Sequence, residues 1–168
     1  FFYLPEAVSY TEALRNCMFY KDGAGPGVYT VKAHIRWLDG MAFEAESGSG
    51  HRLTVDGPPD IGGRDLGPRP MELLLQGLGS CSAVDVVHIL QRGRHPVAGC
   101  EVDVEAERAE TPPKVFTAIH LHFRVRGEGL KAAAVARAVQ LSAEKYCSAS
   151  LMLARACEVT HSHEVVED

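Results

Sequence analysis

Positive charge is what this chain is short of: 17 Lys and Arg against 22 Asp and Glu give a formal net charge of −5. Non-specific nucleic-acid binding depends on net positive charge to displace counterions, so no nucleic acid is expected as a partner. No run of consecutive apolar residues approaches the roughly 20 that a membrane span needs. The opening residues lack a basic segment followed by a continuous apolar one, so neither a signal peptide nor a membrane partner is expected. CxxC spacing is missing too. The five cysteines (Cys17, Cys81, Cys100, Cys147, Cys157) are odd in number and widely scattered, which is not the framework of a disulfide-stapled secreted domain. A reducing cytoplasm is the expected compartment. Internal repeats and low-complexity tracts are also lacking, and 168 residues suffice for one domain with a real core.

What is present is organised around residues 70–90. Pro70 suits the first turn of a helix, where its missing N–H has no partner to lose. After it, leucines and valines fall on nearly every side of the wheel, which predicts a buried central helix. Cys81 stands at its middle among small neighbours, Gly77, Gly79, Ser80, Ser82 and Ala83. Two glycines inside a helix each cost about 1 kcal/mol against alanine, so a close approach by another backbone or a ligand is expected there.

Ahead of this helix, Ser9 and Glu12 form a capping-box pattern, and Tyr10, Leu14, Cys17 and Met18 an apolar stripe. Residues 1–27 therefore read as a helical arm and linker, and 28–168 as the domain. From residue 28 the period changes to two. Strands are predicted over 29–37, 42–47 and 51–56, with an Asp39-Gly40 hairpin signal, then a long Gly/Pro-rich loop over 57–68. Strands follow over 97–107 and 114–126, an alanine-rich helix over 130–143, an interruption or short further helix to about residue 156, and a closing strand over 157–166. That order predicts an α+β fold with an antiparallel sheet around the buried cysteine helix.

Two segments make the pattern specific. Pro70-Met71-Glu72-Leu73-Leu74-Leu75-Gln76-Gly77-Leu78-Gly79-Ser80-Cys81 resembles the cysteine helix of the OsmC/Ohr family, and Ser142-Ala143-Glu144-Lys145-Tyr146-Cys147-Ser148 resembles its second-cysteine segment. The predicted strand order agrees from about Val31 to Val166, and the likeness is closest to the YhfA-like branch. The resemblance implies an intertwined OsmC-like homodimer with two sites at the subunit interface. It also implies peroxiredoxin-like antioxidant chemistry of a stress-response protein: reduction of a hydroperoxide or other small apolar substrate at Cys81, resolution by Cys147, and recycling by an external dithiol, with no cofactor.

The residues can be read beside that resemblance. By pattern alone Cys81 is an ordinary buried cysteine; with the resemblance it becomes the nucleophile. Cys147 sits near the start of a short helix, whose dipole favours a thiolate. The family's glutamate position is filled by Met71, with the carboxylate displaced to Glu72. Nine residues at about 100° each set Glu72 roughly opposite Cys81, so helix-start compensation is its expected role unless the helix breaks near Gly77 and Gly79. No arginine matches the family's. Arg69, beside the helix start, ranks first as a substitute, with Arg36, Arg52 and Arg64 on nearby strands and loop. A substrate pocket of Met71, Leu78, Asp85 and His88 is expected around Cys81, where His88 would lower the thiol's pKa and a buried Asp85 would raise it. The alternative class is a non-catalytic small-molecule-binding or redox-sensing protein. Two His-x-His pairs, His120/His122 and His161/His163, would gather four imidazoles around a metal if their strands were neighbours in the right register. A solvated sheet face is the simpler expectation, so no metal is assigned.

Overall fold

A computed structural model describes residues 30–166; the predicted arm over 1–27 lies outside them. The first three strands, β1 (Ala33–Asp39), β2 (Ala42–Ser47) and β3 (Arg52–Asp56), form an antiparallel sheet in the order β1-β2-β3. The hairpin signal is met at Gly40, which takes φ 52°, and the turn is fastened by the Trp37 indole N–H donating to the Gly40 carbonyl at 2.9 Å. Period-two alternation splits this sheet cleanly. Ile35, Ala45 and Leu53 stand in one row and Trp37, Phe43 and Val55 in the next, all on one face. The other face carries Arg36 paired to Glu44 and Arg52 paired to Glu46.

The Gly/Pro loop after β3 is tied down by one buried carboxylate. Asp56 accepts from the backbone N–H groups of Gly57 and Arg64 at 2.8 Å each, and of Leu66 at 3.2 Å. These donors, that of Arg64 foremost, hold its pKa below the usual carboxylate value. Gly67 lies so close to β3 that a Cβ there would come within 2.0 Å of the Thr54 carbonyl oxygen.

The loop delivers α1 (Pro70–Arg92), an unbroken helix. By length and composition alone it would be apolar enough to cross a membrane, a test that the core helix of a globular domain also meets. Here it packs Leu78, Val86 and Leu90 into the core instead. It is not covered all round: Leu74 and Val84 stay exposed along one side. Gly79 is the close approach, where an added Cβ would meet Val104 Cγ2 at 2.8 Å. Gly77 faces open space among the described residues.

The second sheet holds β4 (Gly99–Arg108), β5 (Phe116–Arg126) and β6 (Glu158–Val166) in the order β4-β5-β6. The β4–β5 pair is antiparallel, as expected, but β5–β6 is parallel. Between them the chain makes a helical crossover, the connection that parallel neighbours require. It runs through α2 (Ala132–Leu141), a π-helical turn (Ser142–Tyr146) and α3 (Ser148–Leu153). Ile119, Leu121, Phe123 and Val125 of β5 are buried beneath the helices.

Candidate active site

The site residues come from two elements whose local geometry follows from sequence. On α1, Cys81 and Ser82 lie side by side, Cys81 half-buried at the margin of the exposed Leu74/Val84 strip and Ser82 fully buried. The second element is the π-turn. Its closing bond runs from the Cys147 N–H to the Ser142 carbonyl five residues back, at 2.9 Å. The extra residue ends the helix and turns Cys147 out of the α-helical track, to φ −70° and ψ 104°. Cys147 thereby becomes the N-cap of α3, and its sulfur accepts from the Ser150 backbone N–H at 3.4 Å. A thiol sulfur here takes the place of the hydroxyl or carboxylate oxygen that usually caps a helix.

Cys81 and Cys147 lie beside one another, and hydrogen bonding between the two thiols is the largest influence on the ionisation of each. Cys147 is fully buried, yet its sulfur accepts from the Ser82 hydroxyl at 3.2 Å and the Ser150 N–H at 3.4 Å, with the Ser150 hydroxyl and the Cys81 thiol close by. Chiefly through the Cys81 bond, and against the cost of burial, these lower the Cys147 pKa to about 5. The same bond, with burial and the Asp85 charge, raises that of Cys81, while the Ala149 backbone N–H works the other way. Asp85 is buried one turn beyond Cys81 and accepts from the Ser142 hydroxyl at 3.2 Å. The sign predicted for Asp85 therefore holds. His88, half-buried on α1, is not among the leading influences on Cys81.

The remaining candidates are placed elsewhere. Glu72 accepts from the Arg69 N–H at 2.9 Å and closes the start of α1. The helix does not break at Gly77 or Gly79, so nothing brings Glu72 round toward Cys81. Arg69 is the N-cap of α1, Arg36 pairs with Glu44 at 3.0 Å on the first sheet, and Arg64 pairs with Asp39. Met71 is partly buried against the core and Leu78 is fully inside it. A groove of about 500 Å³ runs along the other side of α1, between Glu72, Leu75, Gln76, Gly79, Ser80 and Ala83 and the β4 valines Val102 and Val104. None of Met71, Leu78, Asp85 or His88 lines it, because residues spaced by three and four from Glu72 share a face that Cys81 does not.

The four histidines are on neighbouring strands but do not converge. In the β5–β6 register His120 pairs with Thr160 and His122 with Ser162, whereas His161 pairs with Leu121 and His163 with Phe123. One pair therefore lies on each face of the sheet, which corrects the four-imidazole alternative. Among the described residues no three His, Cys, Asp or Glu side chains are grouped so as to hold a metal ion. His120 instead bonds Thr160 Oγ1 at 2.7 Å and Ser162 Oγ at 2.8 Å, and His122 bonds Ser162 Oγ at 2.7 Å. His161 stacks on Phe123, and its Nε2 is enclosed without a hydrogen-bond partner among the described residues. Sequence reasoning missed the three serines, Ser82, Ser142 and Ser150. Their signal was adjacency: each lies within five residues of one of the paired cysteines.

A mixed α+β body that joins a thiol on its central helix to a thiol at a helix-start kink has the architecture of an OsmC-like protein. The family model for OsmC-like proteins matches residues 62–162, and the chain belongs to that family. It is 53% identical to Protein YhfA of Escherichia coli strain K12 over 136 residues, covering 81% of this chain and 98% of that protein. A hypothetical protein from Aquifex aeolicus VF5 is 30% identical, with a TM-score of 0.75, and the match covers 84% of this chain and 99% of that one. An organic hydroperoxide resistance protein OsmC from Legionella pneumophila shares the fold at 22% identity, with a TM-score of 0.62 over 82% of this chain and 98% of its own.

Proposed function

We propose that the protein is a cysteine-based hydroperoxide reductase that works as a cytoplasmic homodimer. Cys81 is the thiol oxidised by the peroxide, Cys147 resolves the resulting sulfenic acid to a disulfide, and an external dithiol restores both. The observation that carries this reading is a half-buried Cys81 placed beside a fully buried Cys147 whose sulfur accepts from Ser82 and Ser150. A peroxide can reach the first thiol while the second waits beside it. The apolar strip at Leu74 and Val84 beside Cys81 suits an organic tail better than hydrogen peroxide. The name of the Legionella relative points the same way.

The dimer is supported by the bare apolar face of the first sheet together with that exposed strip of α1, since surfaces of this kind call for a partner. A redox-sensing protein without turnover is the second reading. It is favoured by the engagement of Glu72 and Arg69 at the helix start, away from the thiols. Cumene hydroperoxide with excess dithiol separates the two. Wild type should turn over and Cys81→Ser should lose all consumption above background; with the dithiol withheld, Cys147→Ser should accumulate a sulfenic acid on Cys81. Equal consumption by wild type and Cys81→Ser would remove the reductase reading.

A further inference from the structure

We propose that the negative charge of the reduced thiol pair resides on the buried Cys147, and that Cys147 serves as the base for Cys81. This rests on the reductase reading above and reverses the expectation that the reacting thiol is itself the resting thiolate. The geometry is one-sided. Cys147 faces the Ser82 hydroxyl at 3.2 Å and the Ser150 N–H at 3.4 Å. Hydrogen bonds aimed at a sulfur favour its charged form. Cys81 has the Ala149 N–H in its favour but lies near the Asp85 carboxylate, which is held in place by Ser142. Asp85 of α1 is the charged group that weighs on the pair. The π-turn and α3 present Ser142, Ser150 and the Ala149 N–H to it.

The step then balances without an outside base. Cys81 sulfur attacks the near oxygen of the hydroperoxide: an S–O bond forms, the O–O bond breaks, and the alkoxide leaves. The Cys81 proton passes to Cys147 as the attack begins and on to the departing alkoxide, giving an alcohol and leaving Cys147 a thiolate again. That thiolate attacks the sulfenic sulfur. The S–S bond forms, the S–O bond breaks, and hydroxide departs to become water. Ser82 and Ser150 are positioning residues, acting through Cys147.

The thiolate itself is the readout. Absorbance at 240 nm of the reduced full chain, followed from pH 4 to pH 10, should show one thiolate appearing with a midpoint near pH 5. Cys147→Ser should abolish that step and leave no thiolate until the ordinary cysteine range, about pH 8.5. Ser82→Ala should move the midpoint up by about one pH unit and Ser82→Thr should restore it. An acidic thiolate that survives in Cys147→Ser would place the charge on Cys81 and overturn the proposal. If that variant does not fold, cysteine labelled with carbon-13 at Cβ gives the answer in wild type. The Cys147 signal should titrate near pH 5 and the Cys81 signal should not; the reverse overturns it. Hydroperoxide turnover is assayed separately. A Cys147 thiolate in a protein without turnover removes the reductase reading and supports this assignment, while turnover with the thiolate on Cys81 does the opposite.

Discussion

The protein contains two three-stranded sheets of the same design and opposite fate. In each, alternation puts apolar side chains on one face and ion pairs on the other. The β5 row Ile119, Leu121, Phe123 and Val125 lies under helices of its own chain, with Phe123 at 0% exposure. The corresponding row of the first sheet is left open, Ile35 at 59% and Trp37 at 62%. Identical local rules produced both, so the difference lies in the connections. Within the second sheet, the helical crossover between β5 and β6 folds back over it. The first is followed by a loop clamped to its end by Asp56, and by a helix that packs elsewhere. Among the described residues, the apolar row of the first sheet has no covering layer.

The sharpest test sets the two rows against each other. Phe123→Ala should cost about 3–5 kcal/mol at any protein concentration, as a large buried side chain does. Trp37→Ala should cost under about 0.5 kcal/mol in the isolated chain, but should shift the unfolding midpoint of the assembled protein in a concentration-dependent way. Sedimentation of Trp37→Glu should show monomer near 18.2 kDa where wild type is dimeric. A wild type that is monomeric at micromolar concentration would break the comparison, because the bare face would then be stable in water.

A pH-dependent effect belongs to the thiol pair anchored on the covered body. The folded Cys147 pKa is about 5 against roughly 8.5 in an unfolded chain. Between those values the unfolded state binds more protons, so stability should rise with pH over that interval and be lost as pH falls through about 5. Above about 8.5 the raised Cys81 pKa reverses the sign, because the folded thiol keeps its proton when the unfolded one does not. Urea unfolding of the reduced protein should therefore peak in stability near pH 8.5, and the disulfide form should lack both slopes.

The smallest effect concerns the covered face itself. Burial, with the nearby His120, lowers the His161 pKa below 6.5. The neutral ring is thus the folded form, and stability should fall as pH drops below about 6.5, where the unfolded histidine takes a proton. In the disulfide form, free of the thiol slopes, His161→Phe should remove that slope and change stability at pH 8 by less than about 1.5 kcal/mol. An unchanged slope in thermal melts would mean that another group titrates there.

These contrasts also mark how far the sequence could be read. Period-two alternation located all six strands to within a few residues, and β2 without error. Each strand's own faces were legible for the same reason. What alternation within a strand does not contain is the offset between neighbours. That offset decided the histidines: a shift of one residue between β5 and β6 would have put all four imidazoles on one side. Glu72 was legible because its argument needed only one helix and the angle per residue. The groove beside β4 was not, since it depends on which side of α1 meets the sheet. The cysteines were found by likeness to a family, but the serines that polarise them come from separate elements, and only the folded chain brings Ser82 to Cys147.

The π-turn makes the thiol pair a matter of counting. Its five residues, Ser142–Tyr146, hold one more than a regular helical return from Ser142 would use. Deleting a single residue there, Glu144 for instance, would allow α2 to run on in register, rotating everything after it by about 100° and drawing it back about 1.5 Å along the axis. Cys147 would still be present, still near a helix start, and no longer aimed at Cys81. Point substitutions within the turn leave the spacing intact, whereas insertions and deletions do not. A gap of one residue between α1's cysteine and the closing strand is therefore the kind of change by which a descendant could keep this fold and separate its two thiols.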